Sequence, residues 1–188
     1  MRLSFAAMAL LGLLVGCGSN NNSSDSTSQN GPSQVSPTIS SQDRQFVHDA
    51  AIAGMEEVQL GQMATQQASS DQAKQFGQMM VTDHTKINDQ LQTLASQKGI
   101  TLPTDLDSSA RDDVDNLSKL NGADFDHKYI DMQVSAHEQA IDLFNKEVSD
   151  GSDADIKAFA AQTLPTLEKH LQMAQDAQKG LPAGSSGM

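Results

Sequence analysis

The sequence predicts an all-α protein, a four-helix bundle with a short crossover helix between the second and third long helices. Residues 42–179 fall into four periodic segments almost free of internal Pro and Gly, rich in Ala, Gln, Leu and Met, with few aromatic or β-branched runs. Start and stop signals bound each segment. The spacer between the first two segments is a short turn, and the middle spacer is long enough to return along a whole bundle.

The chain opens with Met1-Arg2, an apolar stretch from Leu3 to Leu14, and Leu14-Val15-Gly16-Cys17. A basic start, a short apolar stretch and small residues before a cleavage point make a signal peptide over 1–16. The stretch is too short for a permanent span, which needs about 20 residues. Cys17 is the one cysteine in the chain, so no intramolecular disulfide forms. Its setting resembles the lipobox of bacterial lipoproteins, which implies acylation at Cys17 and a firm membrane anchor. Gly18, rather than Asp, follows it, and under the sorting rule of enteric bacteria that resembles delivery to the outer membrane, facing the periplasm or cell surface.

Residues 17–41 read Ser, Asn, Gln, Thr and Gly with Pro32 and Pro37, a composition too polar to bury a core, and are expected to be a disordered tether. The first helix starts after the capping box Ser40-x-x-Asp43 and runs to about Ala68; the second starts at Ser70-Asp71 and stops at Lys98-Gly99. A linker from Ile100 to Gly122 carries Pro103 and a short helix in which Ala110, Val114, Leu117 and Leu120 share a face. The third long helix runs from about Ala123 to Ser149. The fourth runs from a Ser152-x-x-Asp155 cap to about Gln178, with Pro165 inside it predicting a kink. Residues 180–188 form a flexible tail. Spanning the bundle with the linker corresponds to ferritin-like connectivity.

Removing 1–16 takes away Arg2 and leaves 11 basic against 24 acidic residues, a net charge of −13. Such a surface repels nucleic acid and anionic lipid head groups and draws cations. Gly-rich phosphate loops, Cys-x-x-Cys pairs and nucleophile elbows do not occur, and no catalytic residue is assigned.

Each long helix carries an apolar seam with one ionisable residue near its middle: Glu57, His84, His137 and His170. All four sit within about five positions of their helix midpoints, hence within roughly 7 Å of one level at about 1.5 Å per residue. Four such groups in a dry interior must satisfy one another or bind something. Imidazoles with one carboxylate suit a zinc, copper or iron ion; a closed hydrogen-bonded layer that fixes helix register is the alternative. Glu56, Asp83, Glu138 and Glu168 are candidates to orient the rings from behind, along with Asp131. Met80 and Met173 lie a turn or less from His84 and His170, as candidate thioether neighbours or as core filling. His48 falls off its seam, and His127 lies about 15 Å along the axis from His137, so both are left out.

The stretches Glu56 to Ala64, Met80-Val81-Thr82-Asp83-His84, Phe125-Asp126-x-x-Tyr129 through His137, and Leu164-Pro165-Thr166-Leu167-x-x-His170-Leu171 together resemble the bacterial family called domain of unknown function 4142, over residues 43–177. The resemblance implies a ferritin-like bundle in an exported protein. Di-iron ferritin-like enzymes use two Glu-x-x-His pairs, whereas Val81, Val134 and Leu167 precede the three histidines here, which argues against a ferroxidase or oxygenase. The expectation is a membrane-anchored envelope lipoprotein holding one transition-metal ion through Glu57, His84, His137 and His170. The alternative is a structural or partner-binding lipoprotein whose polar layer is metal-free. A third reading is a catalytic mononuclear ion that activates water or oxygen.

Overall fold

The computed structural model describes residues 39–181 and contains no strand among them. The signal peptide 1–16, Cys17, the tether up to residue 38 and the tail from residue 182 lie outside the described residues. Five helices are described: α1 (Ser41–Gln67), α2 (Asp71–Lys98), α3 (Ser108–Ser118), α4 (Gly122–Asp150) and α5 (Ala154–Gly180). This is the predicted bundle with its crossover helix. No described helix is long and apolar enough to cross a membrane.

The ends are set by local chemistry. Ser40 caps α1 in a reciprocal capping box with Asp43. Gly99 ends α2 at φ 64°, a left-handed conformation that costs a Cβ-bearing residue steric energy. The start of α5 differs from expectation, because Asp153 rather than Ser152 is the cap. The carboxylate of Asp153 accepts from the amides of Asp155 and Ile156 and also from Lys98 Nζ at 2.8 Å, while Ser152 gives its own amide to Asp43. One carboxylate thus serves three donors, which a hydroxyl cannot do. Helix α5 continues unbroken through Pro165.

Two aspartates lock the hairpins together. Asp126, near the start of α4, accepts from the amides of Ser69 and Ser70 at 2.9 and 2.8 Å and from the Ser69 hydroxyl at 2.6 Å, holding the α1–α2 turn. Asp43, near the start of α1, accepts from the Ser152 amide at 2.8 Å, holding the α4–α5 turn. Each turn is therefore pinned by the first helix of the other hairpin. It follows that α1 runs antiparallel to α4, and the 99–121 connection travels the length of the bundle.

The core is divided. Phe46, Phe144 and Phe159 pack edge-on and tilted at one end with Val47, Leu91 and Ile156. Phe76, Phe125 and Tyr129 pack at the other end with Leu60, Met80, Leu117 and Ile130. Helix α3 lies across α1 on a smaller cluster of Ile52, Leu106 and Ala110. Between the two aromatic ends, Glu57, His84, Gln133, His137, Thr163 and His170 are all buried.

Candidate metal centre

The polar layer exists because each helix interrupts its apolar seam near the same height, so the interruptions have only one another to face. His84 from α2, His137 from α4 and His170 from α5 form a near-regular triangle, with ring centroids 5.6, 5.4 and 5.3 Å apart. One nitrogen from each ring lies within 4.8 Å of the other two.

The hydrogen bonds decide which nitrogens are free to ligate. His137 Nδ1 lies 2.9 Å from the Gln133 carbonyl oxygen, which can only accept, so Nδ1 carries the proton and Nε2 is left with a bare lone pair. His170 Nε2 lies 3.0 Å from a carboxylate oxygen of Asp83 and donates to it, which leaves Nδ1 bare. These two bare nitrogens face each other at 3.3 Å. Lone pairs aimed at one another in a dry interior repel unless a proton or a cation lies between them. His84 adds a further buried ring nitrogen, Nε2, that has no hydrogen-bond partner.

A proton is disfavoured. Burial holds His84 well below the ordinary imidazole value, with His137 and His170 beside it adding to the effect. Burial likewise lowers His137 to about 4, against the bond to the Gln133 carbonyl. His170 is lowered by burial despite its bond to Asp83. Near neutral pH all three rings are uncharged, which is the form that binds metals. Metal–nitrogen bonds of 2.0–2.1 Å in a tetrahedron give nitrogens roughly 3.3–3.4 Å apart, matching the His137–His170 separation. Three imidazole donors suit zinc, copper or iron.

Glu57 is in the layer but stands outside the three-nitrogen group, unlike the fourth ligand expected from the sequence. Its Oε1 is 3.8 Å from His137 Nδ1, the proton-bearing rear of that ring, and its Oε2 accepts from the Gln133 amide at 2.7 Å. Burial raises its pKa to about 7, offset in part by that bond. Gln133, one turn before His137, thus contacts both His137 and Glu57 and was missed in the sequence. A polar residue one turn from a seam histidine was the available signal. Its Oε1 and the Tyr129 hydroxyl on the same face are buried without a hydrogen-bond partner.

Of the candidate orienting acids, Asp83 holds a histidine ring in place. Glu138 and Glu168 are exposed, and Asp131 is exposed and accepts from Gln178 at 2.8 Å. Glu56 is half-buried, and burial followed by the charges of Glu57, Asp113 and Asp107 pushes it up to about 7. Met80 is packed into the aromatic cluster beside Phe76, and Met173 is an exposed residue. His48 is exposed and paired with Asp49.

A family model described as Domain of unknown function (DUF4142) matches residues 28–177. No curated protein matches the sequence. Among solved structures, a DUF305 fragment from Deinococcus radiodurans is 13% identical with TM-score 0.69, covering 77% of this chain and 100% of its own. A DUF305 protein from Streptomyces coelicolor is 11% identical with TM-score 0.63, covering 78% of this chain and 98% of its own. A conserved hypothetical protein, rv2844, from Mycobacterium tuberculosis is 14% identical with TM-score 0.57, covering 79% and 98%. At such identities the likeness is one of fold.

Proposed function

The chain belongs to the family described as Domain of unknown function (DUF4142), and we propose that it is an envelope lipoprotein that binds one transition-metal ion through His84, His137 and His170. The observation that carries the reading is the pair of bare nitrogens, His137 Nε2 and His170 Nδ1, facing at 3.3 Å beside an unpartnered His84 Nε2. A cation with affinity for nitrogen removes the repulsion and gives the buried His84 nitrogen a partner. In this arrangement the Gln133 carbonyl and Asp83 fix the two ring tautomers. Glu57 lies 3.8 Å behind His137 Nδ1, where its ionised form would stabilise the positive charge that a bound cation brings to the ring. The bound ion would be held for scavenging or buffering. Anchoring at Cys17 in the outer membrane is supported by the Leu-Val-Gly-Cys sequence and by Gly18, and the acidic surface favours cation approach.

The test is metal content. The full-length chain, made without a histidine tag, is incubated with zinc, copper or iron salts, desalted and measured by mass spectrometry. About one ion per chain is expected from a single centre, and less than about a tenth of an ion with every metal rejects the reading in favour of a closed polar layer.

A further inference from the structure

A buried centre needs a way in, and the two grooves that flank it differ in charge. One, of about 470 Å³, lies between α1, α3 and α4 and is lined by Asp49, Glu56, Asp107, Asp113 and Asp131 against the single base Lys128. The other, of about 560 Å³, lies between α2 and α5, where Asp83 and Asp155 are balanced by Lys86 and Lys169. The second is larger, but its Asp83 meets the side of His170 that carries the proton, and the one residue it shares with the interior cavity beside the centre is the aliphatic Ile87. The first adjoins the interior. Ala53, Glu56 and Ala136 line it and also line an interior cavity of about 50 Å³, whose other walls include Glu57, His84 and His137.

On these observations, and resting on the metal-centre reading, we propose that divalent cations enter through the acidic groove between α1, α3 and α4 and pass Glu56 into the inner cavity. Of the three side chains common to both spaces, Ala53 and Ala136 are small and Glu56 is the acidic one. A water occupies roughly 10–15 Å³ on this scale, so the groove accommodates a hydrated ion while the inner cavity holds it with only a few waters. His84, a residue 5% exposed whose Nε2 has no hydrogen-bond partner, belongs to the wall of that inner space and would supply a donor as water is shed. Glu56 acts as a passage residue, replacing hydration during transfer without remaining bound.

Uptake of Co²⁺ by the full-length untagged chain tests this, because its visible bands are far more intense at a four-coordinate site than in water. Stopped-flow mixing gives the rate, and the final absorbance gives the occupancy. Glu56→Gln and Asp113→Lys are each expected to slow uptake about tenfold, within the range of electrostatic steering, with final occupancy unchanged. The Asp113→Lys effect should shrink at high salt. Lys86→Glu, in the other groove, should leave the rate unchanged. Wild-type rates in both groove variants, or faster uptake in Lys86→Glu, would overturn the route while leaving the centre intact. Reduced final occupancy in Glu56→Gln would overturn the passage role by making Glu56 a ligand. Failure of the wild type to take up Co²⁺ would instead overturn the centre itself. Asp113 is exposed, so its variant carries the test should Glu56→Gln melt early.

Discussion

At the scale of single residues, the layer mixes bonded and frustrated groups, and two predictions separate them. His84 has a buried nitrogen with no partner, a condition that costs about 1–3 kcal/mol. His84→Leu should therefore leave the metal-free protein at least as stable as wild type, while abolishing the rise in melting temperature that zinc produces. Thermal denaturation with and without zinc decides it, and a rise retained in the variant would count against His84 as a ligand. The second prediction is a dependence on pH in the metal-free protein. His137 is held at about 4 when folded, against 6.5 in the unfolded chain, so between those values the unfolded chain binds more protons and stability falls as pH falls. Glu57 is raised from 4.5 to about 7, so over that range the folded chain binds more protons and stability falls as pH rises. The two effects oppose each other between 4.5 and 6.5, so relative to wild type His137→Gln should make stability fall more steeply as pH rises through that range, and Glu57→Gln should make it rise more steeply, read from melts at intervals between pH 4 and 7.

At the scale of helices, the bundle is registered by contacts that no single helix contains. Asp126 satisfies two amides and a hydroxyl of the α1–α2 turn, so Asp126→Ala is expected to destabilise by about 1.5–3 kcal/mol through the loss of these hydrogen bonds to a charged group. Urea denaturation measures this. Helices α1 and α2 approach so closely that a Cβ on Gly77 would lie 2.8 Å from the Gly61 carbonyl oxygen and 2.7 Å from the Ala64 Cβ. Gly77→Ala raises helix propensity, yet the backbone must shift to admit it, and a net loss of about 1–3 kcal/mol is expected. A more stable variant would show that the helices separate easily. The caps were largely legible beforehand, since Ser40, Ser70 and Gly99 act within three or four residues of themselves. Asp153 was passed over because its advantage depends on Lys98, which is 55 positions away.

For the molecule as a whole, the proposal joins an acidic bundle to a lipid anchor, and Cys17→Ser should move the protein from the membrane to the soluble fraction with the metal centre unchanged, which fractionation of cells checks. The sequence by itself determined the helices, their order, the long crossover and the common level of Glu57, His84, His137 and His170, because helical periodicity and capping act over a turn or two of chain. Only the tertiary structure decided which nitrogens are bare, why Asp83 rather than Glu138 or Glu168 orients a ring, and that Glu57 turns to Gln133 behind His137. Those choices depend on rotamers and partners brought together from distant positions, 76 apart for Glu57 and Gln133 and 87 for Asp83 and His170. No local pattern encodes such a meeting before the bundle closes.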